Sequence, residues 1–398
     1  MPSRINYILY QKDTMNDGDS DLDRWKIPLY KIYTDDEDMN LISKIIKRGT
    51  QWAMGPEIEE FEKSIKNFVG CDFCVTLNSG TSALHATFLA YGFENGDEII
   101  VPSFSFISTA NAAIFVGAKP IFSDIEDINF GLNPELIPDK ISNSTKALVP
   151  MDYGGLSCRI SDIKKIADEN NLVLIEDAAE SLGATAYGKK VGSMADSSIF
   201  SFCGNKVITT GEGGAVVTNS RDIYEKIKQI RSHGRVDKIN YFENPSESEY
   251  LDVGYNWRMS SITAALGLAQ LAKIEKIIQM RQNNAKYISD RLAKHKITIP
   301  TPENFTHIYQ MYTIRLSNKH MRDNLHTFLL QKKIFTKVYF HPIHLTSFYK
   351  EKFGTLSNSL PVTETLSDQV LTLPLYPNMT KEEKDYLVES VNEFFELN

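Results

Sequence analysis

Residues 198–219 read SIFSFCGNKVITTGEGGAVVTN, a stretch that encloses a single basic residue between two apolar runs. The runs at 198–202 and 215–218 are rich in β-branched and aromatic residues, which is typical of strands. Lys206 lies between them, and three glycines follow it. An amine held against close-packed backbone is poorly solvated, which favours its neutral, nucleophilic form. The stretch therefore predicts a lysine that forms a Schiff base with an aldehyde cofactor. A solvated loop lysine is the alternative.

The length of the chain predicts more than one domain. It has 398 residues, of which 42% are hydrophobic and 24% charged. Single hydrophobic cores stop growing at roughly 250–300 residues. We predict a polar N-terminal extension at 1–28 that packs loosely on the main body, a large cofactor-binding domain at 29–275, and a smaller α+β domain at 276–398.

Charge and cysteine content argue against several classes of partner. The formal net charge is −8 and no basic run occurs, so no nucleic-acid partner is expected. No apolar stretch approaches the ~20 residues that span a membrane, and the first residues do not resemble a signal peptide. Cys71 and Cys74 form a CxxC pair, but no second pair stands at ligand spacing, so no metal site is expected. Four cysteines in so long a chain suit a reducing compartment, and we predict a cytoplasmic protein.

Strand-like and helix-like segments alternate along the first two thirds of the chain. This alternation predicts an α/β fold with a mainly parallel sheet between helices. After Met259 the pattern changes, and 262–280 predicts one long helix. The predicted strands are 74–77, 98–101, 120–122, 147–151 and 172–175. One predicted helix begins at 57, and three others cover 81–91, 110–116 and 160–169.

The segment 78–82, NSGTS, follows a predicted strand and precedes a predicted helix. Free backbone N–H groups at a helix start, together with hydroxyl side chains and a glycine, can bind an anion. The segment therefore predicts a phosphate site. Plain helix capping by Ser79 or Thr81 explains the same residues equally well.

Two further strand ends carry polar or aromatic side chains. The strand 172–175 is followed by Glu176 and Asp177, and Asp177 could keep a pyridine nitrogen protonated so that the ring accepts electrons. The alternative is that Asp177 caps a helix. Phe106 follows another strand and could stack on a planar ring, although a core position is the commoner role of a phenylalanine. With Lys206, these parts predict a pyridoxal 5′-phosphate site, in which Ser201 and Asn205 help to hold the phosphate and the loop.

Four motifs of the chain resemble those of the nucleotide-sugar aminotransferases, the DegT/DnrJ/StrS type of fold-type-I pyridoxal-phosphate enzymes. They are NSGTSALH from Asn78, EDAAES from Glu176, SFCGNKVITTGEGG from Ser201 and GYNWRMS from Gly254. The resemblance covers residues from about 28 to the end. It implies the fold-type-I transferase architecture, with Lys206 as the Schiff-base lysine and Asp177 as the partner of the ring nitrogen.

The resemblance also implies roles for residues around these two. Asn256 matches an asparagine that reaches the phosphate in the neighbouring subunit, which implies a homodimer with shared active sites. The remaining matches are to cofactor contacts, namely Phe106 at the ring, Gly80, Thr81 and Ser201 at the phosphate, and Glu180 beside the phenolic oxygen.

The implied reaction moves an amino group from L-glutamate to a nucleotide-linked 4-keto-6-deoxy sugar. A GDP-linked sugar is predicted, with a UDP- or dTDP-linked sugar as the alternative. Arg258, His341 and His344 are predicted substrate contacts, although a histidine in an aromatic run such as 337–344 is more often a packed residue. A sugar dehydratase of this fold would carry histidine in place of Lys206, and a non-catalytic binding protein would not need Lys206 and Asp177 together.

Overall fold

The computed structural model describes residues 24–235, 249–295, 297 and 303–397. Most of the N-terminal extension predicted at 1–28 lies outside these residues. The strands of the described part are β1 (Phe73–Leu77), β2 (Glu98–Pro102), β3 (Lys119–Ser123), β4 (Thr145–Leu148), β5 (Val173–Asp177), β6 (Thr185–Ala186), β7 (Lys189–Lys190), β8 (Ser197–Ser201), β9 (Gly214–Thr218), β10 (Phe305–Thr306), β11 (Tyr312–Arg315) and β12 (Val370–Leu373).

Helices surround these strands and follow most of them in the chain. In the described part they are α1 (Asp36–Arg48), α2 (Pro56–Val69), α3 (Gly80–Tyr91), α4 (Ser108–Phe115), α5 (Ile160–Glu169), α6 (Arg221–Arg231), α7 (Ser261–Ala272), α8 (Ile274–Leu292), α9 (Lys319–Gln331), α10 (Ser347–Phe353), α11 (Pro361–Gln369) and α12 (Lys381–Leu397).

Seven strands form the central sheet in the order β1-β9-β8-β5-β4-β2-β3. The pairs from β8 to β3 are parallel, and β9 runs antiparallel to both of its neighbours. Successive residues Ile99, Ile100 and Val101 are all fully buried, because helices cover both faces of the sheet. The predicted α/β class with a mainly parallel sheet is confirmed.

The sheet brings the carboxyl ends of β1, β2, β5 and β8 to one edge, since these strands run in the same direction. In open α/β sheets this edge is where ligands bind. The four segments that the sequence singled out follow these strand ends. The fold therefore places them at the same side of the molecule.

The prediction of one long helix at 262–280 was wrong. The chain forms α7 and α8, which are separated at Lys273, whose φ of −114° and ψ of 10° are not helical. The Lys273 ammonium is paired with Asp35 and Asp38 at the start of α1. Apolar periodicity continues across the break, which is why the sequence pattern did not reveal it.

Two apolar cores meet along α8. Ile274, Ile277 and Ile278 pack with α2 and α7 under the central sheet, whereas Ala285 and Ile288 pack in the core of the C-terminal part. One helix thus belongs to both cores, and a domain division at residue 275 stays a prediction.

The predicted loose packing of the N-terminal extension was wrong for its last residues. Ile27 is fully buried in the C-terminal core, and its backbone pairs with Ile334. Burial of the apolar Ile27 side chain favours packing of this end of the segment, although the residues before it are mostly polar.

None of the helices within the described residues combines the length and the apolar character needed to cross a membrane.

Candidate active site

Lys206 lies on the turn between β8 and β9. Its backbone N–H donates to Cys203 O at 3.0 Å, and Thr210 N donates to Phe202 O at 3.0 Å. A side chain at Gly213 would place Cβ 2.4 Å from Thr210 Oγ1, so the tight return of the chain requires glycine there. The turn is held by these backbone bonds, and the Lys206 side chain is only 14% exposed.

Glu180 is the ion-pair partner of Lys206. Lys206 Nζ donates to Glu180 Oε1 at 3.1 Å, and Gly154 N donates to Glu180 Oε2 at 2.9 Å. The carboxylate is 6% exposed, so both members of the pair are shielded from water. The solvated-lysine alternative does not fit this geometry. The amine points into the protein and faces a carboxylate that comes from the end of β5.

Asp177 ends β5 and is 3% exposed. Thr109 Oγ1 donates to its Oδ2 at 2.6 Å, and Ala179 N donates to its Oδ1 at 3.3 Å. Burial raises the pKa of Asp177, and the Thr109 hydrogen bond, the backbone bond and the charge of Lys206 partly offset this increase. A cation against this carboxyl would favour its ionised form.

The predicted phosphate site lies at the start of α3. Ser79 caps the helix, with Ser82 N donating to Ser79 Oγ at 3.0 Å. The N–H groups of Gly80 and Thr81 belong to the first turn and have no intrahelical partner. Gly80 faces Ser201, because a Cβ on Gly80 would lie 3.1 Å from Ser201 Cβ. Helix capping by Ser79 does not use the N–H groups of Gly80 and Thr81, so capping and anion binding are compatible here.

Phe106 follows β2 and is 58% exposed, unlike Phe104, which is fully buried. Thr109 N donates to Phe106 O at 3.2 Å, so the exposed ring belongs to the same turn as the partner of Asp177. The core alternative for Phe106 therefore does not hold in this chain. An exposed aromatic ring beside the site can serve as a stacking surface.

Asn205, Asn256 and Arg258 lie on two segments beside these groups. Asn205 O accepts a hydrogen bond from Gln310 Nε2 at 2.7 Å. The exposed Asn256 and the half-buried Arg258 flank Trp257, whose carbonyl accepts from Asn78 N at 2.8 Å. The backbone of Arg258 also pairs with that of Leu77. The segment therefore crosses the end of β1 next to the phosphate site. Its roles in a neighbouring subunit and in substrate binding stay predictions.

The two histidines of the run 337–344 have different surroundings. His341 is exposed. His344 is 1% exposed, with Nδ1 hydrogen-bonded to Ser103 Oγ at 2.7 Å and Nε2 to Glu364 Oε1 at 3.2 Å. Burial lowers the pKa of His344. Both ring nitrogens are used inside the fold, which is the packed alternative that the sequence left open, and substrate contact by His344 stays a prediction.

Gln310 is a site residue that sequence reasoning missed. It is 5% exposed and lines one cavity together with Lys206, Glu180 and Ser201. Buried Arg281 donates to the carbonyls of Tyr309 and Gln310 at 2.7 and 2.8 Å, and this fixes the segment that carries Gln310. No motif pointed to Gln310, because it lies 105 residues from its partner Asn205.

These groups fit pyridoxal phosphate on structural grounds. Gly80 lies close to Ser201, and a residue without a Cβ allows a phosphate to approach the N–H groups of the helix start. Asp177 is a buried acid that a ring cation would stabilise, and Lys206 is an inward-facing amine. A parallel sheet with an amine, an acid and an anion site at its carboxyl edge defines a pyridoxal-phosphate enzyme of the aminotransferase class.

Comparisons with known proteins narrow this class. Residues 33–392 match the DegT/DnrJ/EryC1/StrS aminotransferase family. GDP-perosamine synthase of Escherichia coli O157:H7 is 33% identical over 93% of this chain and 98% of its own length. The uncharacterized protein MJ1066 of Methanocaldococcus jannaschii is also 33% identical, over 94% and 98%.

A solved structure supports the same assignment. Helicobacter pylori PseC, an aminotransferase of pseudoaminic acid biosynthesis, is 29% identical with a TM-score of 0.88, covering 94% of this chain and 100% of the other. The chain belongs to the DegT/DnrJ/EryC1/StrS aminotransferase family. It is a pyridoxal-phosphate-dependent nucleotide-sugar aminotransferase with the fold-type-I architecture.

Proposed function

We propose that the protein transfers an amino group from L-glutamate to carbon 4 of a GDP-linked 4-keto-6-deoxy sugar, GDP-4-keto-6-deoxymannose, to give GDP-perosamine. The similarity to GDP-perosamine synthase over 93% of the chain supports this choice of acceptor. The observation that supports transamination most directly is the inward-facing amine of Lys206. Lys206 follows β8, and Asp177 ends β5, the strand that pairs with β8. An amine and an acid at this edge are what transamination needs.

Bound pyridoxal phosphate supplies an aldehyde and an electron-accepting ring. Lys206 would hold the cofactor through that aldehyde, and Asp177 would keep the ring nitrogen protonated. The first turn of α3 and Ser201 would hold the phosphate, and Phe106 would lie beside the ring. Thr109 orients the Asp177 carboxyl through its 2.6 Å hydrogen bond.

Lys206 is also the acid–base group of the reaction. Its Nζ would take the proton from the α-carbon of the amino donor. In the second half-reaction the same amine would deliver a proton to carbon 4 of the sugar. Glu180 lies 3.1 Å from Nζ, and it lines the same cavity as Lys206 and Ser201. General acid–base help of this kind contributes about 10²–10⁴-fold to the rate.

The acceptor sugar is testable with a panel of GDP-, UDP- and dTDP-linked 4-keto-6-deoxyhexoses. The purified enzyme is incubated with L-glutamate and each sugar, and the aminated product is measured by mass spectrometry. We expect the GDP-linked sugar to have the highest kcat/KM. A matched reaction with the Lys206→Arg variant controls for non-enzymatic imine formation. Preferred amination of a UDP- or dTDP-linked sugar would replace the proposed acceptor and leave the reaction type intact.

A homodimer with shared sites is part of the proposal. The exposed position of Asn256 beside the start of α3 supports a role at a subunit boundary. We expect Lys206→Ala and Asn256→Ala chains to complement one another when mixed and reassociated. In a two-fold dimer, one of the two sites in each mixed pair would be wild type, which restores about a quarter of the wild-type activity. Mixing two batches of Lys206→Ala is the control, and absence of rescue would contradict the shared site.

A further inference from the structure

Two buried acids lie behind Asp177 and take no part in the proposed reaction. Asp152 follows β4, Glu176 lies in β5, and neither is exposed. Cys158 N donates to Asp152 Oδ1 at 2.8 Å. Glu176 Oε2 accepts from Gly192 N and from Ser198 Oγ, both at 2.8 Å. Each acid therefore has one oxygen that accepts hydrogen bonds from the surrounding fold.

The other oxygen of each acid is buried without a donor. Among the described residues, Asp152 Oδ2 and Glu176 Oε1 have no hydrogen-bond partner. Burial raises the pKa of Glu176, and its side-chain interaction with Asp152 is among the contacts that offset this increase. Ionised carboxylates only accept hydrogen bonds, so two of them in contact away from water repel each other. One proton between them satisfies both oxygens and removes one of the two charges.

The surrounding donors decide which acid carries the proton. Glu176 Oε2 accepts from a backbone N–H and a hydroxyl, whereas the donors to Asp152 are the N–H and the thiol of Cys158, and a thiol is a weak donor. Hydrogen bonds to a carboxylate stabilise its ionised form, so Glu176 is the better anion. Burial raises the pKa of Asp152 well above its usual range, and the charges of Glu176 and Asp177 add to this increase.

We propose that Asp152 is a protonated acid that donates to Glu176, and that this shared proton positions Asp177. The connection to Asp177 is direct. Asp152 N donates to Asp177 O at 3.1 Å, Asp177 N donates to Pro150 O at 2.9 Å, and Glu176 precedes Asp177 on β5. The bond between the carboxyls ties the segment 150–152 to β5 at the residue that faces the cofactor. This effect on Asp177 rests on the proposed function, whereas the protonation of Asp152 does not.

Infrared spectroscopy of the full-length protein tests the proton itself. A carboxylic acid has a C=O stretch that a carboxylate lacks, so the wild type at about pH 7.5 should show an acid band although free Asp titrates near ~4. The band should disappear in Asp152→Asn. Asp124→Asn is the matched control, because Asp124 is also buried but accepts hydrogen bonds from Thr363 N, Thr363 Oγ1 and Val362 N. A missing wild-type band, or a band that survives in Asp152→Asn, overturns the proposal.

The pH dependence of stability gives a second test with a definite sign. The native state keeps the Asp152 proton while the unfolded chain releases it above about pH 4, so native protein binds more protons and this group makes stability fall as pH rises. Urea unfolding between about pH 5 and pH 8 should therefore show a smaller fall in Asp152→Asn than in wild type. An unchanged pH slope contradicts the protonated state.

A double-mutant cycle tests the contact. Asparagine at 152 can donate to Glu176 as the acid does, and glutamine at 176 can donate to Asp152 in the reverse direction. With both substitutions, each amide oxygen stays with its donors in the surrounding fold, so the two amide N–H groups face each other without an acceptor. The unfolding equilibrium constant of the double variant should therefore exceed the product of the single effects by about 10–100-fold. Additive effects overturn the contact.

The positioning role has its own readout. Asp152→Ala should weaken pyridoxal-phosphate binding by about tenfold or more, and Asp152→Asn should restore it, because only asparagine keeps the donor to Glu176. Equal binding by the two variants would contradict the positioning of Asp177. If the two variants bound pyridoxal phosphate equally while the infrared acid band was present, the shared proton would be supported and the positioning role would be wrong. The role assigned to Asp177 would then be tested independently by its own substitution.

Discussion

Replacing Lys206 by arginine should abolish aminotransfer while the fold and the local charge are kept. Arginine can still pair with Glu180 Oε1, which Lys206 Nζ contacts at 3.1 Å. Its guanidinium stays protonated at every working pH and can neither attack an aldehyde nor carry a proton between carbons. We expect kcat to fall by at least about 10³-fold, toward the upper part of the range for lost acid–base catalysis.

Spectroscopy shows whether that loss is chemical. The wild-type protein should have a visible absorption band from lysine-bound pyridoxal phosphate, and borohydride should fix the cofactor to a peptide that contains Lys206. Lys206→Arg should show neither property, with an unfolding midpoint close to that of wild type. A retained borohydride adduct in this variant would place the attachment on another residue.

Two further variants separate charge from chemistry. Lys206→Ala removes the ion pair as well, so it should lose about 1–3 kcal/mol of stability, because Glu180 is left with a buried unpaired oxygen. Lys286→Ala is the matched control, since Lys286 pairs with Asp290 on the surface, where 76% of its side chain is exposed. We expect no change in activity or in the absorption band of the control.

Replacing Asp177 by asparagine should reduce kcat by about 10²–10³-fold, the scale for loss of one preorganised electrostatic group. Asparagine can still accept from Thr109 Oγ1, so the geometry of the site is kept while the negative charge is lost. Without that charge, the ring nitrogen is no longer held protonated and the ring accepts electrons less well. Single-turnover rates with L-glutamate alone measure the first half-reaction, in which the ring accepts electrons.

The partner of Asp177 offers a graded comparison. Thr109→Ser keeps the 2.6 Å hydrogen bond to Asp177 Oδ2, and Thr109→Val removes it at nearly constant volume. We expect the serine variant to behave as wild type and the valine variant to lie between wild type and Asp177→Asn. Full-rate transamination by Asp177→Asn would remove Asp177 from the mechanism, whatever the valine variant does.

The chemical types at the site were predictable from local sequence. The ends of the strands near Asn78, Phe106 and Asp177 could be located from the sequence. Short apolar runs of strand residues are bounded there by polar or small residues. Since the carboxyl ends of parallel strands meet at one edge, the alternation of strands and helices also predicted that these residues approach one another. The family motifs are local too, which is why the cofactor could be inferred from them.

The exact bounds and the helix break were less predictable. The predicted strand at 147–151 is β4 at Thr145–Leu148, and Pro150 carries the chain away from the sheet, although Met151 still pairs with Asp177. The separation of α7 from α8 at Lys273 coincides with its ion pairs to α1, which lies more than two hundred residues away. Contacts made at such distances leave no periodic signal in the chain.

The sequence by itself determined the class of fold, located the amine and the acid, and predicts the anion site, because strand patterning and capping chemistry are short-range properties. Only the tertiary structure decided the partners of these groups: Glu180 for Lys206, Thr109 for Asp177, and Gln310 for the turn at Asn205. The physical reason is that a hydrogen bond selects one donor from many of the same type. That selection depends on positions set by packing across the whole sheet.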